Sequence, residues 1–381
     1  MLAHRHPDTT SDRKDIVMNV KTTRAAIVLA LALTMPLAAC SSGKNANTTT
    51  GGIDGAKIAF LMPDQASTRY EQHDAPGFKA ALSKLCASCT ALYNNANADA
   101  SKQQQQFDAA ISQGVKAIVI DPVDSTAAAS MVSRAQARGI KVIAYDRPIP
   151  DAKVDYYVSF DNEAIGKSIA ESLVKHMKNT GVPTDKGVLE VNGSPTDAAA
   201  GLIKKGIHEG LANSGYATLA EYDTPDWEPT AAQQWVAGQV SRFGTQIGGI
   251  VAANDGTAGG AIAALKAANV KPLPPVTGND ATNAGLQLVI SGDQYNTISK
   301  PSEIVASAAA RVVVDLVEGK PVAAVGGGNL TTVFGAPTML FVPKVITRDN
   351  LKADIVDAKI NTAAELCTGA YATGCTALGI S

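Results

Sequence analysis

Polar side chains that can bind a ligand occur directly after short apolar runs of this chain. The clearest case is the run 140–145, which ends at Asp146 and Arg147. A carboxylate and a guanidinium can each make paired hydrogen bonds to neighbouring hydroxyl groups. The alternative explanation for this pair is a surface salt bridge, which contributes little to the free energy of unfolding.

Other positions repeat the pattern, and together they give a set of candidate binding residues. The set comprises Arg69, Tyr70, Asp146, Arg147, Asp197, Trp227, Asn254, Asp280 and Lys300. Such planar polar groups bind hydroxyls, while Trp and Tyr offer a flat face to the C–H side of a ring or polyol. The inventory suits a neutral carbohydrate. Asp197, Asp255 and Asp280 could instead cap helices, and Trp227 could belong to the core.

The first part of the chain alternates between apolar runs and amphipathic segments. Strands are predicted at 57–62, 90–93, 117–120 and 140–145, with helices at 74–85, 99–112 and 125–138, the last capped by Ser125. This alternation with short connections predicts a doubly wound α/β domain with a parallel sheet. In such a sheet the carboxyl ends of the strands meet at one edge, where ligands bind.

A second α/β domain of the same kind follows an extended segment at 155–162. Its helices are predicted at 162–179, 197–212, 230–243, 257–268 and 283–291, and its strands at 187–191, 218–222, 249–252, 275–277 and 296–299. A helix at 302–318 should return to the first domain, and the tail should cross once more.

These elements predict two lobes joined by a three-segment hinge. The N-terminal lobe takes 53–160 and 301–328, and the C-terminal lobe takes 161–300 and 329–381. The crossovers are expected near Ser159, Lys300 and Gly328. Two facing α/β lobes would bring the candidate binding residues into one cleft.

Composition excludes several classes of function. The chain has 381 residues, a net charge of −2, 45% hydrophobic and 18% charged residues, which is typical of a soluble globular protein of two domains. The near-neutral charge gives no support for nucleic-acid binding. We expect a monomer without a cofactor or metal.

Catalytic motifs are missing from the sequence. The histidines after residue 40 are His73, His176 and His208, widely separated, and neither a Gly-x-Ser-x-Gly elbow nor a Walker loop occurs. Paired carboxylates for glycoside hydrolysis could be drawn from Asp146, Asp255 and Asp280, but their separation cannot be read from a sequence. We therefore expect no catalytic residues, and an enzyme remains the weaker alternative.

The N-terminus has the features of an export signal. A basic stretch at 18–24 precedes an apolar run at 25–35, which is too short to span a bilayer. Residues 1–39 are the predicted signal peptide, in which Met18 could be the true start and 1–17 a misassigned extension. The segment 40–52 is rich in Ser, Thr, Asn and Gly and reads as a flexible tether.

Four further cysteines follow the signal. Export places them in an oxidising compartment, where disulfides persist. The short spacings favour the pairs Cys86 with Cys89 and Cys367 with Cys375. A redox-active Cys-x-x-Cys or half of a zinc site is the alternative for the first pair.

Several runs of residues carry a resemblance to a known family. They are Arg69-Tyr70, Ala144-Tyr145-Asp146-Arg147, the run 155–162, Gly193-Ser194-Pro195, the run 253–260, Gly278-Asn279-Asp280 and Lys300-Pro301. In combination they resemble the ribose-type periplasmic sugar-binding proteins of ABC importers, most closely the D-xylose-binding branch. The resemblance covers roughly residues 57–351 and implies the type I periplasmic binding protein fold.

The resemblance also implies a function. A pentose such as D-xylose, or a related polyol, would be held between the lobes and delivered to an ABC transporter permease. Arg69, Arg147, Asn254, Asp280 and Lys300 would bind hydroxyls and the ring oxygen, and Trp227 would be the aromatic platform. The family carries an asparagine pair after the aspartate that follows Gly-Ser-Pro, whereas this chain has Ala198 and Ala199 after Asp197.

Two rivals share this fold by resemblance. A sugar sensor would present its closed form to a membrane signalling receptor, and the sequence does not separate sensing from transport. A sugar-responsive transcription factor would carry an N-terminal helix-turn-helix, where this chain has its export signal.

The segment Leu37-Ala38-Ala39-Cys40 resembles the bacterial lipobox, in which the cysteine is acylated and becomes the first mature residue. This resemblance implies an exported lipoprotein of the cell envelope, anchored through its lipid to the outer face of the cytoplasmic membrane or lying in the periplasm. The alternative is an ordinary secretory signal with an incidental cysteine.

The lipobox predicts that Cys40→Ser abolishes acylation, because serine has no thiol to carry the lipid. Growth with a fatty-acid probe, followed by detection of labelled protein, measures this directly. Equal labelling of the variant and the natural protein would contradict the prediction.

Overall fold

The computed structural model describes residues 52–380. The predicted signal peptide and Cys40 therefore lie outside the described residues. Seven elements alternate as predicted: β1 Lys57–Met62, α1 Ala75–Leu85, β2 Thr90–Asn95, α2 Ala100–Ser112, β3 Ala117–Ile120, α3 Ala128–Gln136 and β4 Lys141–Tyr145. The strand β5 Tyr156–Phe160 follows β4 without an intervening helix. Within 52–380, no helix combines the length and apolarity needed to cross a membrane.

The remaining elements include the second alternating set and a C-terminal tail. They are α4 Asn162–Asn179, β6 Gly187–Asn192, α5 Ala198–Leu211, β7 Ala217–Asp223, α6 Pro229–Phe243, β8 Ile247–Ala252, α7 Asp255–Ala267, α8 Asn283–Ser291, β9 Asn296–Ser299, α9 Ser302–Val317, β10 Asn329–Val333, β11 Ala336–Phe341, β12 Lys344–Thr347, α10 Ala363–Leu366 and α11 Ala372–Ala377.

The first lobe is built on a seven-stranded sheet in the order β10-β11-β5-β4-β3-β1-β2. Its neighbours are parallel, except that β10 runs antiparallel to β11. Both faces are covered, because alternate side chains of β1 enter different core layers. Phe60 packs in the layer with Phe78 of α1, whereas Leu61 packs with Phe107 of α2.

The second lobe has a three-stranded parallel sheet in the order β7-β6-β8, and a separate antiparallel pair of β9 and β12. The predicted strand at 275–277 is reduced to a single bridge between Ile250 and Val276. Helices α4 and α5 pack tightly against each other, as do α6 and α7. The lobe therefore repeats the α/β construction with a more fragmented sheet.

Three segments cross between the lobes. The chain leaves β5 for α4 at Asp161, and it returns from β9 to α9 through Lys300 and Pro301. The third crossover, between β11 and β12, is at Val342 and Pro343.

The third crossover corrects the predicted one near Gly328, and with it the assignment of 329–341 to the C-terminal lobe. The reason is a long-range pairing, because β11 hydrogen-bonds to β5 in parallel register. Thr338 lies opposite Tyr157, and Phe341 lies opposite Phe160. This pairing buries Met339 and Phe341 in the core of the first lobe.

Helix caps differ from the sequence prediction at Ser125 and from the capping alternative considered for Asp280. Ser125 does not cap α3, which begins at Ala128; its hydroxyl instead accepts a hydrogen bond from the backbone N–H of Ala198 in the second lobe at 3.1 Å. Thr282, rather than Asp280, caps α8. Asp197 does cap α5.

The structure contains disulfides between Cys86 and Cys89 and between Cys367 and Cys375. These are the local pairs that the spacing favoured. The second disulfide ties the C-terminal tail to itself, and Cys375 is buried against the second lobe beside Ile290.

Helices α4 and α5 approach so closely that glycine is required at their contact. A Cβ atom on Gly166 would lie 1.9 Å from the carbonyl oxygen of Ile203, and one on Gly206 would lie 2.1 Å from that of Glu163. Backbone atoms cannot give way as the end of a flexible side chain can, so the helices would have to separate.

We expect Gly166→Ala to lower the free energy of unfolding by about 1–3 kcal/mol or more, the usual range for overpacking. The matched control is Gly201→Ala on α5, where the added Cβ meets no atom within 4 Å. There the better helix propensity of alanine should raise stability by up to about 1 kcal/mol. Urea denaturation measures both changes. Equal stability of the two variants would refute the close approach.

Candidate functional site

All nine candidate binding residues line one cavity between the lobes, whose space outside the atoms amounts to about 320 Å³ when the part open to solvent is included. The first lobe contributes the side chains that follow β1 and β4. The second lobe contributes those that follow β6, β7 and β8. The lining also includes residues outside the candidate set: Ser67, Asn162, Ala199, Ile203 and Asn279.

Arg69 joins the two lobes at one end of the cavity. Its guanidinium donates to Asp74 at 2.8 Å and to Asp146 at 2.5 Å, both in the first lobe. Its Nε lies 3.8 Å from a carboxylate oxygen of Asp280 in the second lobe. The guanidinium also lies 4.5 Å from the centroid of the Tyr70 ring, a cation–π distance.

Arg147 also joins the two lobes, at another part of the cavity wall. Its Nη2 donates to Asp64 at 2.7 Å, and its Nε is 3.3 Å from an oxygen of Asp121. Both are first-lobe residues. The same Nε lies 3.1 Å from Asp197 in the second lobe, so this ion pair also crosses the cleft. Burial raises the pKa of Asp121 well above its usual range, although Arg147 opposes this shift.

Lys300 is the third cation, and it lies on a crossover. Its ammonium is 2.9 Å from Asp280 and 3.7 Å from Asp146. Burial by itself would raise the pKa of Asp146, but Arg69, Lys300 and Arg147 together outweigh it and lower that pKa to about 2. Asp146 is therefore ionised at every ordinary pH.

The backbone of Asp146 is held in a left-handed conformation, with φ at +58°. Tyr157 and Ser159 of β5 donate hydrogen bonds to its carbonyl oxygen at 2.7 and 2.9 Å. Asn162 in turn donates to both hydroxyl oxygens at 3.3 and 3.4 Å. The polar residues of the run 155–162 thus position the turn that presents Asp146 and Arg147.

Trp227 reaches the cavity because the opposite backbone leaves room for its ring. A Cβ on Gly193 would lie 2.1 Å from the indole, so glycine lets the ring pack directly against the strand end. The indole N–H donates to Asp197 at 3.0 Å, and the ring is 6% exposed. Asp197 also accepts from the backbone N–H of Ala199 at 2.7 Å. Its capping role and its place in the cavity are therefore compatible.

Asn254 likewise combines both roles. Its side chain accepts from the backbone N–H of Thr257 at 2.8 Å and caps α7 within a capping box. The same residue lines the cavity.

Asp255 lies behind the cavity and holds the loop that carries Asp280. It accepts hydrogen bonds from Gln294 at 2.8 Å, from Thr297 at 2.8 Å and from the backbone N–H of Thr282 at 2.8 Å. Burial, and then the negative charge of Asp280, raise the pKa of Asp255 to about 7. It is a positioning residue, since it does not line the cavity.

Hydrogen bonds close the cleft outside the cavity as well. The backbone N–H of Ser125 donates to the carbonyl of Thr196 at 3.0 Å, and the Thr196 hydroxyl donates to the carbonyl of Val123 at 3.2 Å. Loops of the two lobes are thus in direct contact.

Sequence reasoning missed Asn162 and Asn279 as lining residues. Asn279 is adjacent to the candidate Asp280, and Asn162 ends the motif run 155–162, which is the signal that could have found them. The side-chain oxygen of Asn279 is buried and accepts no hydrogen bond in the described part of the chain. It is therefore free to accept one from a ligand.

The arrangement offers many hydrogen-bonding groups. Six charged side chains pair with one another, and amide, hydroxyl, aromatic and aliphatic groups complete the lining. The one lysine of the lining, Lys300, is paired with Asp280. A polar ligand would therefore meet groups that both donate and accept hydrogen bonds.

Comparison with known proteins agrees with this geometry. A model of the periplasmic binding protein domain matches residues 58–321. The D-xylose-binding periplasmic protein of Escherichia coli (strain K12) is 32% identical over 314 residues, which cover 81% of this chain and 92% of that protein. The xylitol-binding protein of Mycolicibacterium smegmatis is 27% identical over 339 residues, 89% of each chain.

A solved structure of a solute-binding protein has a similar fold. The carbohydrate transporter solute-binding protein from Chloroflexus aurantiacus, in complex with D-glucose, superposes with a TM-score of 0.73 at 26% identity, covering 81% of this chain and 97% of that one. With its two α/β lobes, three crossovers and matching family model, the chain belongs to the periplasmic binding protein family, whose members bind solutes and are not enzymes.

Proposed function

We propose that this protein is an exported receptor that captures a small neutral sugar or sugar alcohol and delivers it to an ABC importer permease. The observation that carries the proposal is that every cation of the cavity is already ion-paired. Arg69, Arg147 and Lys300 pair with Asp146, Asp197 and Asp280 of the lining, and the two arginines also pair with carboxylates behind it. A charged ligand would find no unpaired buried charge to compensate its own, which is strongly unfavourable, whereas hydroxyl groups need no such partner.

The remaining lining supports a polyhydroxylated ligand. Charged groups make stronger hydrogen bonds to hydroxyls than neutral groups do. Trp227 and Tyr70 supply apolar ring faces for the C–H side of such a molecule. The unpartnered side-chain oxygen of Asn279 is available to accept a hydrogen bond from a ligand hydroxyl. D-xylose and xylitol, for which two of the relatives are named, have this chemistry.

Ala199 narrows the choice among such ligands. It lines the cavity and stands in the segment where the resembled family carries asparagines. A methyl group cannot meet a ligand hydroxyl, and an unsatisfied buried polar group costs about 1–3 kcal/mol. We therefore infer that a sugar or polyol of five carbons or fewer binds at least as well as D-xylose.

Capture would proceed by closure of the lobes. A ligand that contacts residues of both lobes binds the closed form better than the open form and shifts the population towards it. The crossovers at Asp161, Lys300–Pro301 and Val342–Pro343 are short, so the bending is absorbed by a few backbone dihedrals. The closed form would then be the one that the permease recognises.

Membrane attachment through Cys40 completes the proposal. The segment 41–52 would tether the lobes to the lipid, which keeps a monomeric receptor near its permease at high local concentration.

Arg147→Lys tests the ligand role of the guanidinium while retaining a positive charge for Asp64 and Asp121. Removal of the charge by alanine would also leave those carboxylates uncompensated and destabilise the fold. A lysine cannot make paired hydrogen bonds, so the affinity for the preferred polyol should fall at least tenfold, about 1.4 kcal/mol.

Calorimetry measures the change, and Arg134→Lys is the control, because Arg134 pairs with Asp108 on the outer side of α3. If Arg147→Lys binds the polyol as tightly as the natural protein does, Arg147 is not a ligand-binding residue. If no pentose, hexose or alditol raises the unfolding temperature, the proposed sugar-receptor function is wrong, since any ligand of the native state must raise it.

Ala199→Asn should shift the preference towards D-xylose, because the new amide can meet a hydroxyl that the methyl group leaves unpaired. We expect the ratio of the Kd values for xylitol and D-xylose to change about tenfold or more, given the cost of one unsatisfied group. The control is Ala268→Asn. Ala268 is exposed and follows the last residue of α7, so this substitution should leave the ratio unchanged. An unchanged ratio in Ala199→Asn would contradict the inference.

A further inference from the structure

A buried carboxylate occurs in the second lobe outside the lining of the sugar cavity. Glu190 lies on the central strand β6, and its side chain is 1% exposed. One of its oxygens accepts a hydrogen bond from the hydroxyl of Thr218 at 2.5 Å. The other oxygen, Oε2, accepts none within the described residues. A buried carboxylate oxygen without a partner costs free energy, so its retention calls for a physical reason.

His208 and Glu221 face that oxygen. Nε2 of His208, on α5, lies 3.1 Å from Oε2 of Glu190 and 2.9 Å from Oε2 of Glu221, on β7. The hydrogen-bond geometry joins the imidazole to Glu221 and not to Glu190. An imidazole nitrogen carries one proton at most, so a proton there cannot satisfy both carboxylates.

We propose that Glu190, His208 and Glu221 form a zinc-binding site. Their ligand atoms all lie within 4.8 Å of one another. Tetrahedral zinc with bonds of about 2.0–2.1 Å separates neighbouring ligand atoms by about 3.3 Å. The observed 2.9 and 3.1 Å therefore need to lengthen by only a few tenths of an ångström. One ion would then satisfy both carboxylates and the imidazole lone pair together.

The surrounding charge favours a divalent cation. Lys204 pairs with Glu221 and lies 2.9 Å from Asp223. Glu190, Glu221 and Asp223 are three carboxylates against this one ammonium, so acidic groups outnumber basic ones around the cluster. A dication would offset this excess.

The site is open on one side. His208 and Glu221 are 48% and 30% exposed, and a surface cavity of about 520 Å³ adjoins them. Water can therefore occupy the fourth position of the ion. One nitrogen and two oxygens suit zinc better than calcium, which prefers six to eight oxygen ligands.

The three ligands come from β6, α5 and β7, so a bound ion would cross-link the edge strand of the second sheet to its covering helix. We expected no metal from the sequence. The partners of His208 lie 18 and 13 positions away along the chain, so no motif of fixed spacing marks this cluster. The strand register brings Glu190 beside Glu221.

The experiment uses the untagged protein after treatment with EDTA, since a histidine tag would itself bind zinc. Equilibrium dialysis should show one zinc per chain, and zinc should raise the unfolding temperature by several degrees. Equal concentrations of calcium should give a smaller shift. An equal or larger shift with calcium would overturn the assignment of zinc.

Variants locate the site. His208→Gln should weaken zinc binding at least tenfold without unfolding the protein, because this side chain is half exposed. Glu190→Gln should do the same and also test the buried ligand. The matched control is His176→Gln, a helix histidine of the same lobe that stacks on Tyr295.

All variants should keep the thermal shift given by the sugar ligand, which separates a loss of metal from a loss of fold. Zinc binding that survives in His208→Gln, or that is lost in His176→Gln, would overturn the proposal. So would the absence of stoichiometric zinc binding by the natural protein.

Discussion

The compensation of buried positive charge is the constraint on which this structure depends. Arg69 and Arg147 are 5% and 3% exposed, and an isolated ion at such positions would cost several kcal/mol. Carboxylates of their own lobe hold them from behind: Asp74 for Arg69, and Asp64 with Asp121 for Arg147. These pairs do not depend on the second lobe. Both guanidinium groups can therefore keep their orientation while the cleft opens, which is what a receptor needs if it is to meet its ligand with a prepared site.

The second lobe adds two further carboxylates across the cleft. Asp280 and Asp197 lie 3.8 and 3.1 Å from the two arginines, and Lys300 joins Asp280 from the crossover. These opposite charges meet in a region with little water, where their attraction is stronger. A neutral ligand can add hydrogen bonds to this network without changing its net charge. On the proposed function, this network would therefore disfavour a charged solute, because it holds no unpaired charge to compensate one.

Local sequence patterns predicted the positions of most elements and the residues of the cavity. This worked because strand ends are local features and because parallel strands place their carboxyl ends at one edge. Long-range pairings were not predictable in the same way. Nothing in 336–341 reveals that this strand adds to β5, and nothing around Ser125 reveals that its hydroxyl meets Ala198 instead of capping a helix. Glu190 is similar: a single carboxylate in an apolar strand has no visible partner until β7 and α5 are in place.

Three residues of the cavity have unfavourable backbone conformations, and these conformations cost free energy of folding. Asp146, Trp227 and Asp280 have φ values of +58°, +58° and +100°, a region that residues with a side chain rarely occupy. Each such residue costs about 1–3 kcal/mol and persists only where its surroundings hold it. Asp146 is held by Tyr157 and Ser159, and each of the three strained residues is anchored by hydrogen bonds within its own lobe. Since no strained residue relies on the opposite lobe, the lobes can separate by rotation at the crossovers while each half of the site keeps its shape.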